Sequence, residues 1–365
     1  MIKAECVAAS QGKTKIATFK VTMPRYILAE FNTHRVFTRN SASSRAIRTE
    51  KMLQMLLENP FVPIAWQKDH TGMQGTEYFE GEIFGEESQM FTTEALKQLW
   101  LGIMKESMVQ SGMMRKVGLT KQIANRILEP YMWHTVLVTA TEWENFFNLR
   151  CPQYDIGDGI LYKSRRDALL AMRNRGIDTS IGELFTTTLE WLKVNKGQAD
   201  IHMSLVAEAI YDAYQTARFR EAHALDWHIP YGDLLDTHEI TRVVLDNSDF
   251  AKKMNLPQGL TSLSWETLQR AKVMIAVARC ARLSYQTLGD SPKIDYKADF
   301  EMYHKLRRDQ HWSPFEHVSY SMGDYEWDVC VKTIINSQGQ FEQQKGWLAN
   351  FRGWVQERAL LENAA

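Results

Sequence analysis

The stretch Thr14–Pro24, TKIATFKVTMP, alternates apolar and polar residues and halts at a proline. That period of two demands an extended strand with one buried face. Much of the remaining chain keeps helical spacing instead, so the fold must join sheet to helices. From Thr93 to Arg126 the pattern is helical, with Leu96, Leu99, Ile103 and Met104 on one face. TEWENFFNLR (Thr141–Arg150) reads as a helix start, Thr141 capping and Glu144 three residues on. QADIHMSLVAEAIYDAY (Gln198–Tyr214) places Ile201, Leu205, Ala209 and Ala213 on one stripe. WETLQRAKVMIAVARCARLSY is another helix, residues 25–60 mix helical spacing with a polar centre, and residues 60–92 read as loop. Residues 228–262, with proline, glycine, histidine and aspartate, are the best linker candidate.

The 365 residues are 44% hydrophobic and 24% charged, a globular profile with room for two domains or one large domain with insertions. Basic and acidic residues number 43 and 44, so no general attraction to nucleic acid or membrane is expected. Cys6, Cys151, Cys280 and Cys330 form no CxxC pair, which argues against a disulfide framework or a zinc site and for a reducing cytoplasm. The N-terminus has no apolar core of a signal peptide, and no window has the roughly 18 apolar residues of a membrane span.

Two clusters carry chemistry. In QHWSPFEHVSYSM (310–322), Ser313, Pro314 and Glu316 fit a capping box with proline at the first helical position. That cap leaves His311 and His317 unexplained, and a helix N-terminus can also hold a cofactor phosphate or the edge of a flavin. In THRVFTRNSASSRAIR (Thr33–Arg48), His34, Arg35, Arg39, Arg45 and Arg48 are interleaved with Asn40, Ser41, Ser43 and Ser44. Either this is a solvated basic face or its guanidinium forks and short hydroxyls bind a small anion such as phosphate.

These segments resemble the flavin-dependent thymidylate synthase (ThyX) family. HR…N…S.R is similar to that family's arginine-histidine-arginine signature, and HWSPFEH to its His-x-Ser/Thr-Pro-Phe-Glu-His motif. ARLSY (Ala281–Tyr285), NFFNLR (Asn145–Arg150), QADIH (Gln198–His202) and GLTKQIANRILEP (Gly118–Pro130) resemble further family elements. Here the histidine motif comes last rather than first. The resemblance therefore implies a circularly permuted ThyX-like fold in one catalytic domain over residues 1–365. Its class would be α+β (α/β mixed), an antiparallel-rich sheet with packed helices. Residues 215–275 would join the family's original ends, with a helical insert at 151–197 and a C-terminal extension from 323. The ending QKGWLANFRGWVQERALL reads as an amphipathic helix. Thr14–Met23 should lie beside the strand near Val318–Met322.

The activity implied is methylation of dUMP at carbon 5. Methylenetetrahydrofolate would give the carbon, reduced FAD the hydride, and NADPH would reduce the flavin. By position, His34, Arg35, Asn40, Asn145, Ser284, Ser313 and Glu316 would contact FAD. Glu30, Ser43, Ser44, Arg45, Arg126 and Arg150 would hold the nucleotide, and Arg150 and His311 would serve catalysis, His311 where folate enters. No metal is implied, and a cytoplasmic homotetramer is. The chain departs from the family at Thr33 and Ser41, which replace an arginine and a glutamate, at Thr38-Arg39, and at Glu30, which replaces a glutamine. Lys196 stands where a flavin-stacking histidine is usual. Such changes leave two alternatives, a dUMP or dCMP hydroxymethylase and a non-catalytic flavin- or nucleotide-binding homologue.

Overall fold

A computed structural model of the chain describes residues 1–71, 75, 77–80, 82–84, 90–176, 187–257, 259–284, 295–335 and 338–362. The sequence's alternating stretch is the strand β2 (Lys15–Pro24), folded back antiparallel on β1 (Lys3–Gln11) through residues 12–14. Two further strands, β3 (Thr38–Ser41) and β4 (Trp133–Ala140), and the short β5 (Arg220–Glu221) complete a sheet ordered β3-β4-β2-β1-β5 among the described residues. Its pairings are antiparallel except the β1–β5 edge. The protein is thus a mixed α+β fold rich in antiparallel pairing. A second sheet sets β7 (Ser319–Ser321) between β6 (Trp227–His228) and β8 (Trp354–Gln356), again antiparallel.

Both faces of the large sheet are covered, because β4 adds apolar Leu137 on the face opposite the apolar set of β2. One face presents Ala17, Phe19, Val21 and Met23 with Val136, Val138 and Ala140. Against it pack the helices α3 (Glu144–Arg150), through Phe146 and Phe147, and α4 (Ile201–Thr216), through Met203, Val206, Ala207 and Ile210. On the other face, Leu137 meets Cys280 and Leu283 of the helix α5 (Trp265–Ser284). Helix α5 shares a second core with α6 (Tyr296–Arg308). At roughly 25 cal/mol per Å² of apolar area removed from water, each such fully buried phenylalanine contributes about 1.5–3 kcal/mol.

Several expectations are corrected. The helix expected over Thr93–Arg126 follows α1 (Thr49–Glu58) and ends earlier, at Lys116 (α2, Thr93–Lys116). Leu99 and Ile103 are 58% and 50% exposed, whereas Met104 is buried. The face that packs is the one bearing Trp100, Leu101, Met104 and Met108, set by Leu128, Tyr131 and Met132 beneath it. The linker region holds two helices, Thr237–Asp246 and Ser248–Lys253, capped by Asp236 and Asn247. Ile240, Val244 and Phe250 anchor them in the second core. The loop over 60–92 contains a small antiparallel pair, Glu82–Phe84 with Met90–Thr92.

The C-terminal stretch forms short strands and, among the described residues, a helix of just six residues, Glu357–Glu362. Gly346, Ala349 and Gly353 all take positive φ there, which no α-helix admits. Thr141 caps nothing, since the helix starts after Trp143, and its Oγ1 instead accepts from Arg352 N at 3.0 Å. The capping box at 313–316 is also absent. Residues Ser313–His317 form a 3-10 turn without a side-chain cap, because both polar side chains are used elsewhere.

β2 and β7 do not pair, contrary to the expected adjacency of strands; each already has two other partners. Their ends nevertheless converge on Gly353. Met322 N donates to the Gly353 carbonyl at 3.0 Å, and a Cβ on Gly353 would lie 2.5 Å from Thr14 Oγ1.

The segment 151–197 carries the helices Arg165–Asn174 and Thr188–Lys193 and the pair Tyr154–Asp155 with Leu161–Tyr162; its residues 177–186 lie outside the described ones. It is tied to α4 by buried Glu208, whose two carboxylate oxygens receive Arg165 Nε at 3.0 Å and Nη2 at 2.9 Å. Tyr154 Oη adds a third bond at 3.1 Å.

Candidate functional site

The candidates between His34 and Arg48 meet three partners, which carry most of the others. The first is α3. The buried His34 ring stands edge-on to Phe146 with centroids 4.9 Å apart, and Arg150 Nε donates to its Nε2 at 3.1 Å. An accepting Nε2 puts the ring proton on Nδ1. Burial, then the charges of Arg150 and Arg39, lowers the His34 pKa to about 4, so this imidazole is neutral at pH 7. Arg150 also donates from Nη1 to the Glu30 carboxylate. Burial and the Asp200 charge outweigh that partner and hold the Glu30 pKa above its ordinary value. Glu30, one of the departures from the family pattern, thus becomes the counter-ion of Arg150.

The second partner is the 313–317 turn with the C-terminal strands. Ser313 Oγ donates to the Arg39 carbonyl at 3.2 Å, and Thr38 Oγ1 donates to Glu316 at 3.3 Å. Glu316 pairs with Arg358, while Asn350 Nδ2 reaches Thr38 Oγ1 at 3.0 Å and the Val36 carbonyl at 3.1 Å. Asn40 Nδ2 donates to the Cys280 carbonyl at 2.8 Å and so fastens β3 to α5. Arg358, Asn350 and Thr38 were not candidates in the sequence; no local motif marks them, since Asn350 acts across more than 300 residues, Thr38 reaches Glu316 across 278, and Arg358 reaches it across 42.

The third partner is the segment after Thr120. Buried Asn125 donates to the carbonyls of Ser44 at 2.9 Å and Ile47 at 3.1 Å, and accepts from Thr49 Oγ1 at 2.7 Å. This clamp fixes the turn holding Arg45 against the residue preceding Arg126. Arg126 leans on Glu129 at 2.9 Å, and Arg25 reaches the same carboxylate at 3.5 Å. Asn125 was also missed, although an asparagine inside a helical run, able to serve two backbone carbonyls, is its signal.

Arg35, Arg45 and Arg48 are exposed, and their side chains have no partner among the described residues. Ser44 Oγ is buried with no hydrogen-bond partner. Ser43 is half-buried, and its Oγ accepts from the Arg45 backbone N–H at 3.4 Å. Asn145, His311 and Lys196 are exposed and are not drawn into these three contacts. The side chain of Ser284 lies outside the described residues, as does Tyr285. Burial pushes the Cys151 and Cys280 thiols far up and Cys6 to about 11, so none of the three offers a thiolate nucleophile near neutral pH. His317 belongs to a separate, buried chain of polar groups: Ser10 Oγ lies 3.0 Å from His228 Nδ1, and Thr18 Oγ1 2.8 Å from its Nε2. Thr18 and Thr139 hydroxyls are 2.7 Å apart, and Thr139 is 2.8 Å from His317 Nδ1.

Fold and site together define an α+β protein with unpaired arginines and hydroxyls along one edge of an antiparallel sheet. No family model matches the chain, and no curated protein matches it. Among solved structures it is similar to a UMP/dUMP methylase, PolB, from Streptomyces cacaoi bound with 5-Br UMP. That likeness has 15% identity and a TM-score of 0.32, over 48% of this chain and 87% of that one. The same methylase bound with 5-Br dUMP gives 13% identity and a TM-score of 0.29, over 55% and 66%. Neither value reaches that of a shared fold, so the functional reading rests on this chain's own residues. Among the described residues, no helix is long and apolar enough to cross a membrane.

Proposed function

We propose that the protein is a flavin-dependent pyrimidine nucleotide methyltransferase of the thymidylate synthase type. It would transfer a carbon from methylenetetrahydrofolate to carbon 5 of dUMP and use NADPH to reduce its FAD. The observation that supports this most is the contact between residues 38–39 and 313–316. Two segments about 270 residues apart, each resembling part of the family's flavin motif, hydrogen-bond directly through Ser313 Oγ to the Arg39 carbonyl and Thr38 to Glu316.

The residues suit an anionic dinucleotide and a nucleotide phosphate. Arg35, Arg45 and Arg48 are cations without side-chain partners among the described residues, and the orphaned Ser44 hydroxyl is a buried polar atom that lacks one. FAD would be held by His34, Arg35, Asn40, Asn145, Ser284, Ser313 and Glu316, and when bound supplies the hydride. Glu30, Ser43, Ser44, Arg45, Arg126 and Arg150 would orient dUMP, with bidentate guanidinium contacts fixing its phosphate. A neutral His34 keeps Arg150 the one cation of that pair, and its guanidinium, oriented by His34 and Glu30, would stabilise charge that develops on the uracil carbonyls. His311, exposed, would stand where folate enters. A homotetramer would complete the site from a second subunit.

The test is to add dUMP and methylenetetrahydrofolate to NADPH-reduced, FAD-loaded protein, follow flavin reoxidation without oxygen, and weigh the nucleotide. Reoxidation that needs both substrates, with the nucleotide gaining one CH2, is the expected result. Flavin that stays reduced, or a protein that does not retain FAD, overturns the reading. A gain of CH2O would assign a hydroxymethylase instead.

A further inference from the structure

A cleft of about 260 Å³ opens beside the N-terminal strand, away from every residue assigned above. Ser10, Arg218, Arg220, Asp233, Gln269 and Lys272 are its polar lining. The chain builds it from three local features. β1 bulges between Cys6 and Ala8, which turns its outer edge, and β5 joins that edge only at Ser10 and Gln11. That register sets Arg220 opposite Ser10. On α5, Gln269 and Lys272 are three residues apart and so share one face.

The charges in this cleft are unbalanced. Three cations face one carboxylate, Asp233, among the described lining residues. Arg218 and Lys272 have no side-chain partner there. Of the three, Lys272 is half-buried, whereas Arg218 and Arg220 are exposed and Arg220 donates from Nη2 to the Trp227 carbonyl. Holding unpaired like charges around a concave surface is unfavourable unless a counter-anion enters, and a concave wall strengthens the field it feels. The Gln269 amide adds a neutral donor at the same wall. The volume lies below the 300–1,000 Å³ usual for larger ligands, which favours a compact anion.

We infer that this cleft is a binding site for a small phosphate dianion, either inorganic phosphate or a short phosphomonoester, held by Arg218, Arg220 and Lys272. Ser10 joins the cleft to the buried chain through His228, 3.0 Å from its hydroxyl. Lys272 stands on the helix whose Cys280 carbonyl receives Asn40. An occupant therefore touches two elements that reach the candidate site.

The experiment is calorimetric titration of inorganic phosphate, and separately of glycerol 3-phosphate, into the full chain at low ionic strength. The background is Arg45→Gln, which weakens the proposed nucleotide site. One saturable binding event is expected. Adding Lys272→Gln, or separately Arg218→Gln, should weaken it about tenfold each, as loss of one charge-assisted contact does. Tighter glycerol 3-phosphate would identify a phosphomonoester as the occupant, and equal affinities inorganic phosphate. No saturable heat, or affinity unchanged in both added variants, overturns the assignment. Arg218 is exposed, so its substitution leaves the fold intact if Lys272→Gln does not.

Discussion

Acidification should unfold this protein through the buried histidines that join its two sheets. His228 and His317 are fully buried, and burial lowers both pKa values to about 3, His228 with further help from Arg220 and His317. In the unfolded chain each returns to roughly 6.5. Between pH 6.5 and 3 the unfolded state binds more protons than the folded one, so stability rises with pH and is lost as pH falls through this window. The limiting slope is about 1.4 kcal/mol per pH unit for each histidine. From pH 7 to 4.5 each costs about 2.5 kcal/mol, and the pair about 5, comparable with the whole stability of many domains. His34 and His134 act with the same sign, whereas Glu30, Glu142, Asp212 and Asp299, whose pKa values are raised, oppose it.

Comparison with one variant removes those other groups. His317→Asn keeps a polar atom near Nδ1, where Thr139 is bonded, and drops only Nε2, which has no partner. Urea denaturation followed by tryptophan fluorescence from pH 8 to 4.5 measures the slopes. The variant should start somewhat less stable at pH 8 and lose about 1.4 kcal/mol less per pH unit below pH 6. Parallel slopes for wild type and variant would refute the buried, neutral His317 and the reasoning with it.

Further consequences can be measured. Glu208→Ala leaves Arg165 without its buried carboxylate, costs about 3–5 kcal/mol and should expose 151–197 to proteolysis; unchanged cleavage would mean the segment is held otherwise. Gly353→Ala forces an L-residue into φ +76° against Thr14 Oγ1, and a melting temperature within error of wild type would contradict the predicted loss of about 1–3 kcal/mol. Glu316→Ala breaks a part-exposed pair with Arg358 worth at most about 1 kcal/mol, yet should lose FAD; full FAD occupancy would leave Glu316 a purely structural role. Arg45→Lys keeps the charge but not the fork, so dUMP affinity, read from the flavin spectrum, should fall about tenfold with FAD retained. Unchanged affinity in both Arg45→Lys and Arg126→Ala would make the basic run a solvated face.

Local pattern alone fixed the elements with strong periodicity. β2, α4 and α5 were legible because alternation or helical spacing persists over more than two turns or pleats, and the aspartate cap of α4 lies just inside the expected bounds. The run His34–Arg48 stood out by composition, as hydroxyls and arginines without acids, which leaves a solvated basic face and an anion site equally open. Tertiary contacts decided the rest. Residues 237–253 looked like linker because their polar caps outweigh few apolar residues, and only the second core gives Ile240, Val244 and Phe250 a place. The C-terminal stretch has helical composition, but packing of Trp354 and the left-handed turns at Gly346 and Gly353 override propensity. Ser313 and Glu316 spell a capping box, yet they bond Arg39 and Thr38 across 274 and 278 residues, and Arg358 across 42. A capping box is worth about 1 kcal/mol locally, and such contacts with a neighbouring strand can exceed it. Which polar groups neutralise one another is a property of the folded surface, and so Glu30 as counter-ion of Arg150 could not be read before the chain had closed on itself.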